Sequence, residues 1–331
     1  MGDDFPDDEF EDVRYRAGNW HAWDTGDVAT LERDHAPEDV RRVVSVSAAS
    51  LYGRPVEPRA WLVDEFIPAR TVTLLSGDGG TGKSLVALQL AAAVATGRHW
   101  LGHQVDPGPV IFASAEDDMD ELHRRLVDVA RALGVTLEDM SDLVLVPLAG
   151  EDAVMASPEA RSGIMRATPL FKSIEAMIAE HRPLLVVLDT LADLFGGNEN
   201  DRSQARQFVG MLRGLAIRHG TTLVLLSHPS LSGLSSGTGA SGSTGWSNSV
   251  RSRLYLSRVL NKAEGSGQDL EPDPNLRTLR VMKANYGAVG AEIRLRWEDG
   301  CFHNDAAFSE SSFERAARAM QAEIVFLDML K

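Results

Sequence analysis

The chain carries GDGGTGKS at positions 77–84, which places Gly77, Gly82, Lys83 and Ser84 at the spacing G-x-x-x-x-G-K-[ST]. From average residue usage, such a match arises by chance roughly 1 time in 100 in a chain this long. Gly79, Gly80 and Gly82 reach backbone angles closed to other residues, so the amides from Gly77 through Asp78 and Thr81 to Gly82 can turn inward around an anion. A helix opening at Lys83 adds the unpaired N–H groups of its first turn, Ser84 and Leu85 included, and the positive end of its dipole. Lys83 is placed to reach the β- and γ-phosphates and the Ser84 hydroxyl to hold Mg²⁺. The implied ligand is a nucleoside triphosphate with magnesium.

Four further patterns bear on the same chemistry. LLVVLDT at 184–190 is a buried aliphatic run ending in Asp189, a carboxylate that can hold Mg²⁺ through water. VIFASAEDD at 110–118 is a strand followed by three acids, expected to lie next to the first strand. Glu116 at such a tip can take a proton from attacking water, and one of the acids 116–118 also favours the start of the helix that follows. LVLLSHP at 223–229 closes in His228, placed to hydrogen-bond a γ-phosphate or its water. Residues 229–249 then hold five Gly and eight Ser with no Lys or Arg, so a DNA contact there would use amides and hydroxyls. Trp246 in that segment either stacks on a base or anchors the loop to the body. Arg251 and Arg253 follow at once, and Lys283 ends a later strand.

The elements that must position these groups alternate strand and helix from Thr71, which implies a mainly parallel sheet. Strands are expected at 71–76, 109–114, 143–147, 184–189 and 222–227, and helices at 83–96, 117–133, 169–181 and 203–219, with Gly134 and Gly220 as caps. Residues 46–70 read as an extended lead-in packed on the first core strand, and 148–168 as a loop without assigned structure. After 250 the texture is strands at 254–259, 279–284 and 293–297, with a hairpin turn at Glu298-Asp299-Gly300. Three segments follow: an acidic tail at 1–45 expected to be disordered, a body at 46–303, and a terminal segment 304–331 with an amphipathic helix at 309–331 that the chain end leaves uncapped.

Composition narrows the setting. The net charge is −15 over 331 residues. Residues 1–42 hold 13 acids against 5 bases, which leaves only −7 for the rest. Such a body lacks the basic surface of a simple duplex-binding domain. One cysteine, Cys301, excludes an internal disulfide and fits a reducing cytoplasm. No apolar run approaches a membrane span.

With these elements in this order, the chain resembles the RecA-like ATPases, and more narrowly the plasmid RepA-type hexameric replicative helicases near DnaB. The resemblance covers about residues 60–300 and rests on GDGGTGKS (77–84), FASAEDD (112–118), LLVVLDT (184–190), LLSHPS (225–230) and GSTGWSNSVRSRLYL (242–256). It implies an α/β fold with a mainly parallel central sheet flanked by helices and a C-terminal β-hairpin extension. It implies ATP and Mg²⁺ at subunit interfaces of a homo-oligomeric, hexameric ring, and movement on single-stranded DNA in phage or plasmid replication. Glu116 would be the catalytic base, Asp189 the magnesium ligand with Ser84, and His228 the sensor. Arg251 fits the trans-acting finger better than Arg253, and Lys283 fits a trans-acting lysine. The loops 195–206, with Arg202 and Arg206, and 229–249 would face DNA. The DnaB-like pattern has Arg two residues after that lysine, where this chain has Asn285. A ring that switches a protein partner without unwinding DNA is the alternative.

Overall fold

The computed structural model describes residues 45–228, 244–262 and 269–305. The acidic tail up to residue 44, most of the Ser/Gly-rich segment and the helix expected at 309–331 lie outside the described residues. The chain divides into two compact units, Met1–Pro58 and Arg59–Lys331. In the first, a short 3-10 turn spans Ala48–Leu51, and Tyr52 and Val56 are exposed.

The second unit is built on a nine-stranded sheet. Six of its strands run parallel: β3 (Val72–Gly77), β4 (Val110–Ser114), β5 (Leu143–Pro147), β8 (Leu185–Asp189), β9 (Thr222–Ser227) and β10 (Ser252–Arg258). The central ones, β3, β4, β8 and β9, are buried on both faces because helices cover both sides, and the edge strand β5 is only half-buried. The antiparallel strands β13 (Leu276–Ala284), β14 (Glu292–Glu298) and β15 (Cys301–Asn304) extend one edge, in the order β15-β14-β13-β10-β3-β9-β8-β4-β5, and a separate antiparallel pair, β11 (Asn261–Lys262) with β12 (Asp269–Leu270), comes between β10 and β13 in the chain. The turn between β14 and β15 has positive φ at Asp299 (49°) and Gly300 (86°), the paired left-handed geometry of a two-residue hairpin.

Alternate residues feed two cores. Leu75, Phe112, Val187, Val224 and Leu254 face helices α1 (Lys83–Thr96) and α2 (Met119–Leu133). Leu74, Ile111, Val186 and Leu223 face α3 (Pro169–His181) and α5 (Arg202–His219). The helix α1 is apolar almost all round because it lies against the sheet centre; beyond Lys83 at its start, Gln89 is the polar residue in its buried surface. Gly134 and Gly220 take left-handed conformations as C-caps, and Asp118, Thr168 and Asp201 cap the starts of α2, α3 and α5 with side-chain hydrogen bonds.

Several expectations needed correction. The Val110–Ser114 strand does not neighbour the first strand; β9 and β8 stand between them. Chain order misled here, because the connection from β3 through α1 skips two positions in the sheet. The lead-in is no plain extended segment but a small antiparallel pair, β1 (Trp61–Val63) with β2 (Ile67–Pro68), turned at Glu65 (φ 62°) and burying Leu62, Phe66 and Ile67. The unassigned stretch 148–168 contains a second pair, β6 (Ala156–Pro158) with β7 (Met165–Ala167), with Met155 and Met165 in the core. The strand expected at 254–259 begins at Ser252, so Arg253 lies inside it and is buried.

A short helix, α4 (Leu191–Leu194), follows β8, and α6 (Thr244–Ser249) closes the Ser/Gly-rich segment. Trp246 of α6 is fully buried, meets the rings of Phe195 and Phe208 edge-on at 5.0 and 6.2 Å, and donates its indole N–H to the Glu199 carbonyl at 3.0 Å. It therefore anchors the segment to the body and offers no face to a base. Trp246→Ala is expected to cost about 3–5 kcal/mol of stability, read as a lowered midpoint in urea unfolding.

Candidate nucleotide site

The site lies where the parallel strands end. The turn after β3 delivers the glycine-rich loop, and its glycines are required by position. A Cβ at Gly77 would meet the Leu256 carbonyl oxygen at 2.4 Å, and Gly82 takes φ 92° at the head of α1. The Thr81 hydroxyl donates to the Asp78 carbonyl at 2.8 Å and holds the loop closed. Tyr255 of β10 donates its hydroxyl to the Asp78 carboxylate at 2.6 Å, which ties the loop to the neighbouring strand.

Lys83 is buried, and its ammonium donates to the carbonyls of Gly77 (2.8 Å) and Asp78 (3.0 Å) and faces His228 Nδ1 at 3.3 Å. Burial pulls its pKa down, while Glu116, Asp189 and Asp78 work against that. His228, at the tip of β9, presents its other ring nitrogen, Nε2, to Glu116 Oε1 at 3.3 Å. A neutral ring satisfies both contacts: Nδ1 accepts from the ammonium and Nε2–H donates to the carboxylate. One imidazole thus joins the expected phosphate lysine to the expected base, across strands that are not sequence neighbours.

Asp189 closes β8 and is almost wholly buried. Burial, with Glu116 and Asp117 nearby, pushes its carboxyl up to about 7, while the Ser84 hydroxyl bond and Lys83 oppose the shift. Its Oδ2 is buried without a hydrogen-bond partner. An orphaned acceptor beside a serine hydroxyl suits a cation with its water shell, so Ser84 and Asp189 fit Mg²⁺. The three acids after β4 divide their work. Asp118 caps α2, Asp117 pairs with Arg125 at 2.5 Å, and Glu116 alone turns toward His228. Asp193 on α4 also faces this cluster, and its carboxyl is raised by burial and by Glu116.

The remaining expected residues are elsewhere. Arg251 bonds through its backbone N–H to Val72 O, at the start of β3, whereas the loop leaves from the other end at Gly77. The separation along the strand is roughly 15–20 Å. Lys283 pairs with Arg253 across β10 and β13 at that same far end. Its ammonium donates to the carbonyls of Ser247 (2.7 Å), Asn248 (3.3 Å) and Val250 (2.9 Å), which caps the end of α6. Arg213 donates to the Ser249 carbonyl beside it. Burial and the charges of Arg251, Arg253 and Arg213 pull the Lys283 pKa down. The buried Arg253 keeps Nε and Nη1 without hydrogen-bond partners. Arg202 and Arg206 are exposed on the first turns of α5 rather than in the preceding loop.

Arg277, which contacts the loop through Thr81 O at 3.3 Å, carried no motif, and Tyr255 lay inside the 242–256 segment with no role assigned to it. Both reach the loop from strands far along the chain. The His228 bridge was visible only as a strand-tip histidine.

A family model described as an AAA domain matches residues 36–233. This span exceeds half of the chain, and the chain belongs to that family, whose P-loop ATPases include RecA-like, helicase-type members.

Lys83→Ala is expected to abolish ATP turnover. Glu116→Gln is expected to keep nucleotide binding while lowering turnover about 10²- to 10⁴-fold, checked by phosphate release alongside equilibrium binding.

Proposed function

We propose that this P-loop ATPase works as a closed ring of identical subunits, of the hexameric replicative-helicase type, that couples ATP hydrolysis to movement on single-stranded DNA. The observation that carries the reading is the division of cationic groups between the two ends of the sheet. Lys83 serves the subunit's own phosphates, and Arg251 and Arg253, with Lys283 and Arg213 beside them, gather at the far end. A cluster of like charges containing a buried guanidinium with two unpartnered nitrogens is costly unless an anion offsets it. The γ-phosphate of a neighbouring copy is such an anion. Head-to-tail contacts of this kind repeat around a ring.

Within one subunit the chemistry follows from the contacts. Lys83 exchanges its carbonyl and His228 contacts for phosphate oxygens. Glu116, released with His228, accepts the proton of the attacking water. Bound between Ser84 and Asp189, Mg²⁺ would neutralise charge on the β- and γ-phosphates. His228 adjoins the Ser/Gly-rich segment, and Trp246 ties the other end of that segment to the loop after β8.

A trans-acting arginine is worth roughly 10³–10⁵ in rate in phosphoryl transfer. Arg251→Ala alone and Lys83→Ala alone should both be inactive, and mixing them should restore part of the ATPase activity. Single-stranded DNA should raise wild-type turnover, most at low salt. Failure of complementation removes the ring reading. Failure of DNA to bind or stimulate removes the helicase reading and leaves a protein-switching ring, which the mildly acidic body favours.

A further inference from the structure

The turn after β4 carries three acids in a row, Glu116, Asp117 and Asp118, and the fold leaves one of them to the reaction. The backbone of the turn is fixed on both sides. Ala115 N donates to Asp189 O at 2.5 Å, and Asp117 N donates to the Ser114 hydroxyl at 3.1 Å. Asp118 spends its carboxylate on the Glu121 N–H at the head of α2, at 2.8 Å. Side-chain partners therefore separate the other two. Glu116 is 42% exposed beside His228, whereas Asp117 is 13% exposed beside Arg125.

Arg125 stands two turns along α2. It donates from Nη1 to Asp117 Oδ2 at 2.5 Å and from Nε to Glu121 Oε1 at 2.9 Å. The second bond is an i, i+4 pair on one helix face, and it fixes the guanidinium fork from which the first bond is made. Arg124 bonds Glu121 as well, at 3.0 Å, but its side chain is 68% exposed. Burial pushes the Asp117 carboxyl up, Glu121, Glu116 and Asp118 add to the rise, and Arg125 is the cation set against it. The charge of Asp117 is also felt at Asp189, whose carboxyl it helps to raise. A buried carboxylate stripped of its cation either takes a proton or turns toward other positive groups, and here those belong to the site.

We propose that Arg125 is a positioning residue for hydrolysis: by holding Asp117 against α2, it keeps a second carboxylate out of the space between His228 and Asp189 and leaves Glu116 to act alone on the attacking water. The inference rests on the reading of Glu116 as the base and explains why that acid, rather than its neighbour, is the one presented. Arg125 acts through Asp117 and needs no contact with the nucleotide.

Phosphate release and calorimetric titration of the full chain with Mg²⁺ and ATP separate turnover from binding. Arg125→Gln should lower kcat roughly 10- to 100-fold, the scale on which a small misplacement of a reacting group is felt, and leave ATP affinity within about twofold. Arg125→Lys, which supplies the charge without the fork, should recover part of the loss. Arg124→Gln removes a charge from the same helix turn but no bond to Asp117, and should leave turnover unchanged. Asp117→Asn alone should cost less than Arg125→Gln, and in the Arg125→Gln background it should restore turnover, because the acid that Arg125 restrains is then gone. A brace needed only for folding gives the opposite pattern, with equal losses for the two single changes and no restoration in the double. That pattern, or an unchanged kcat in Arg125→Gln, overturns the role. Wild-type turnover in Glu116→Gln instead overturns the base reading on which it rests.

Discussion

Lys83 is a cation held out of water, and the rest of the site is organised around making that tolerable. Its ammonium is solvated by two carbonyls of its own loop and by one imidazole, and three carboxylates supply opposing charge. Such a shell can be built only where several backbone and side-chain groups converge. Parallel strands provide that place, because β3, β4, β8 and β9 all point their C-terminal ends the same way. The sheet order then decides which groups converge. With β9 between β3 and β8, His228 lies next to the lysine, and Glu116 joins through His228 although its strand is three places away.

The same parallel architecture separates the two ends of the molecule. Strand β10 carries Tyr255 at the phosphate-loop end, bonded to Asp78, and Arg253 toward the other. One rigid strand thus ties the loop that holds a subunit's own phosphates to the cation cluster at the far end. The buried guanidinium of Arg253 lacks partners for Nε and Nη1, while Lys283 spends its ammonium on the end of α6. Within this far cluster, Arg253 keeps two buried donors without partners, and the lysine organises the helix that precedes it.

Local pattern carried much of this architecture. The helices at 83–96 and 169–181 and the strands at 143–147 and 222–227 follow from periodicity and from glycine and proline punctuation. The loop, Asp189, Glu116 and His228 were legible because each sits at the end of an apolar run, where a parallel strand must end. Sheet order was not legible, since no local pattern records which strands cross over; hence the misplaced Val110–Ser114. The small pairs at 61–68 and 156–167 escaped because strands of two or three residues show no alternation. Arg253 was placed ahead of a strand expected at 254–259, and the strand begins at Ser252, which puts Arg253 inside it and buries it.

Gln89 shows where a sequence signal existed but could not be interpreted alone. A polar residue inside an otherwise buried helix demands partners, because an unsatisfied buried amide costs about 1–3 kcal/mol. Nothing in the helix says where they are. They prove to be the backbone of Phe302, 213 residues away, on the last strand of the antiparallel extension. The extension is therefore more than a covered edge. Through one amide its aromatic face is registered to the helix whose first turn meets the phosphates. The parallel half of the sheet arranges charge around the phosphate loop, and the antiparallel half braces the helix that the loop opens.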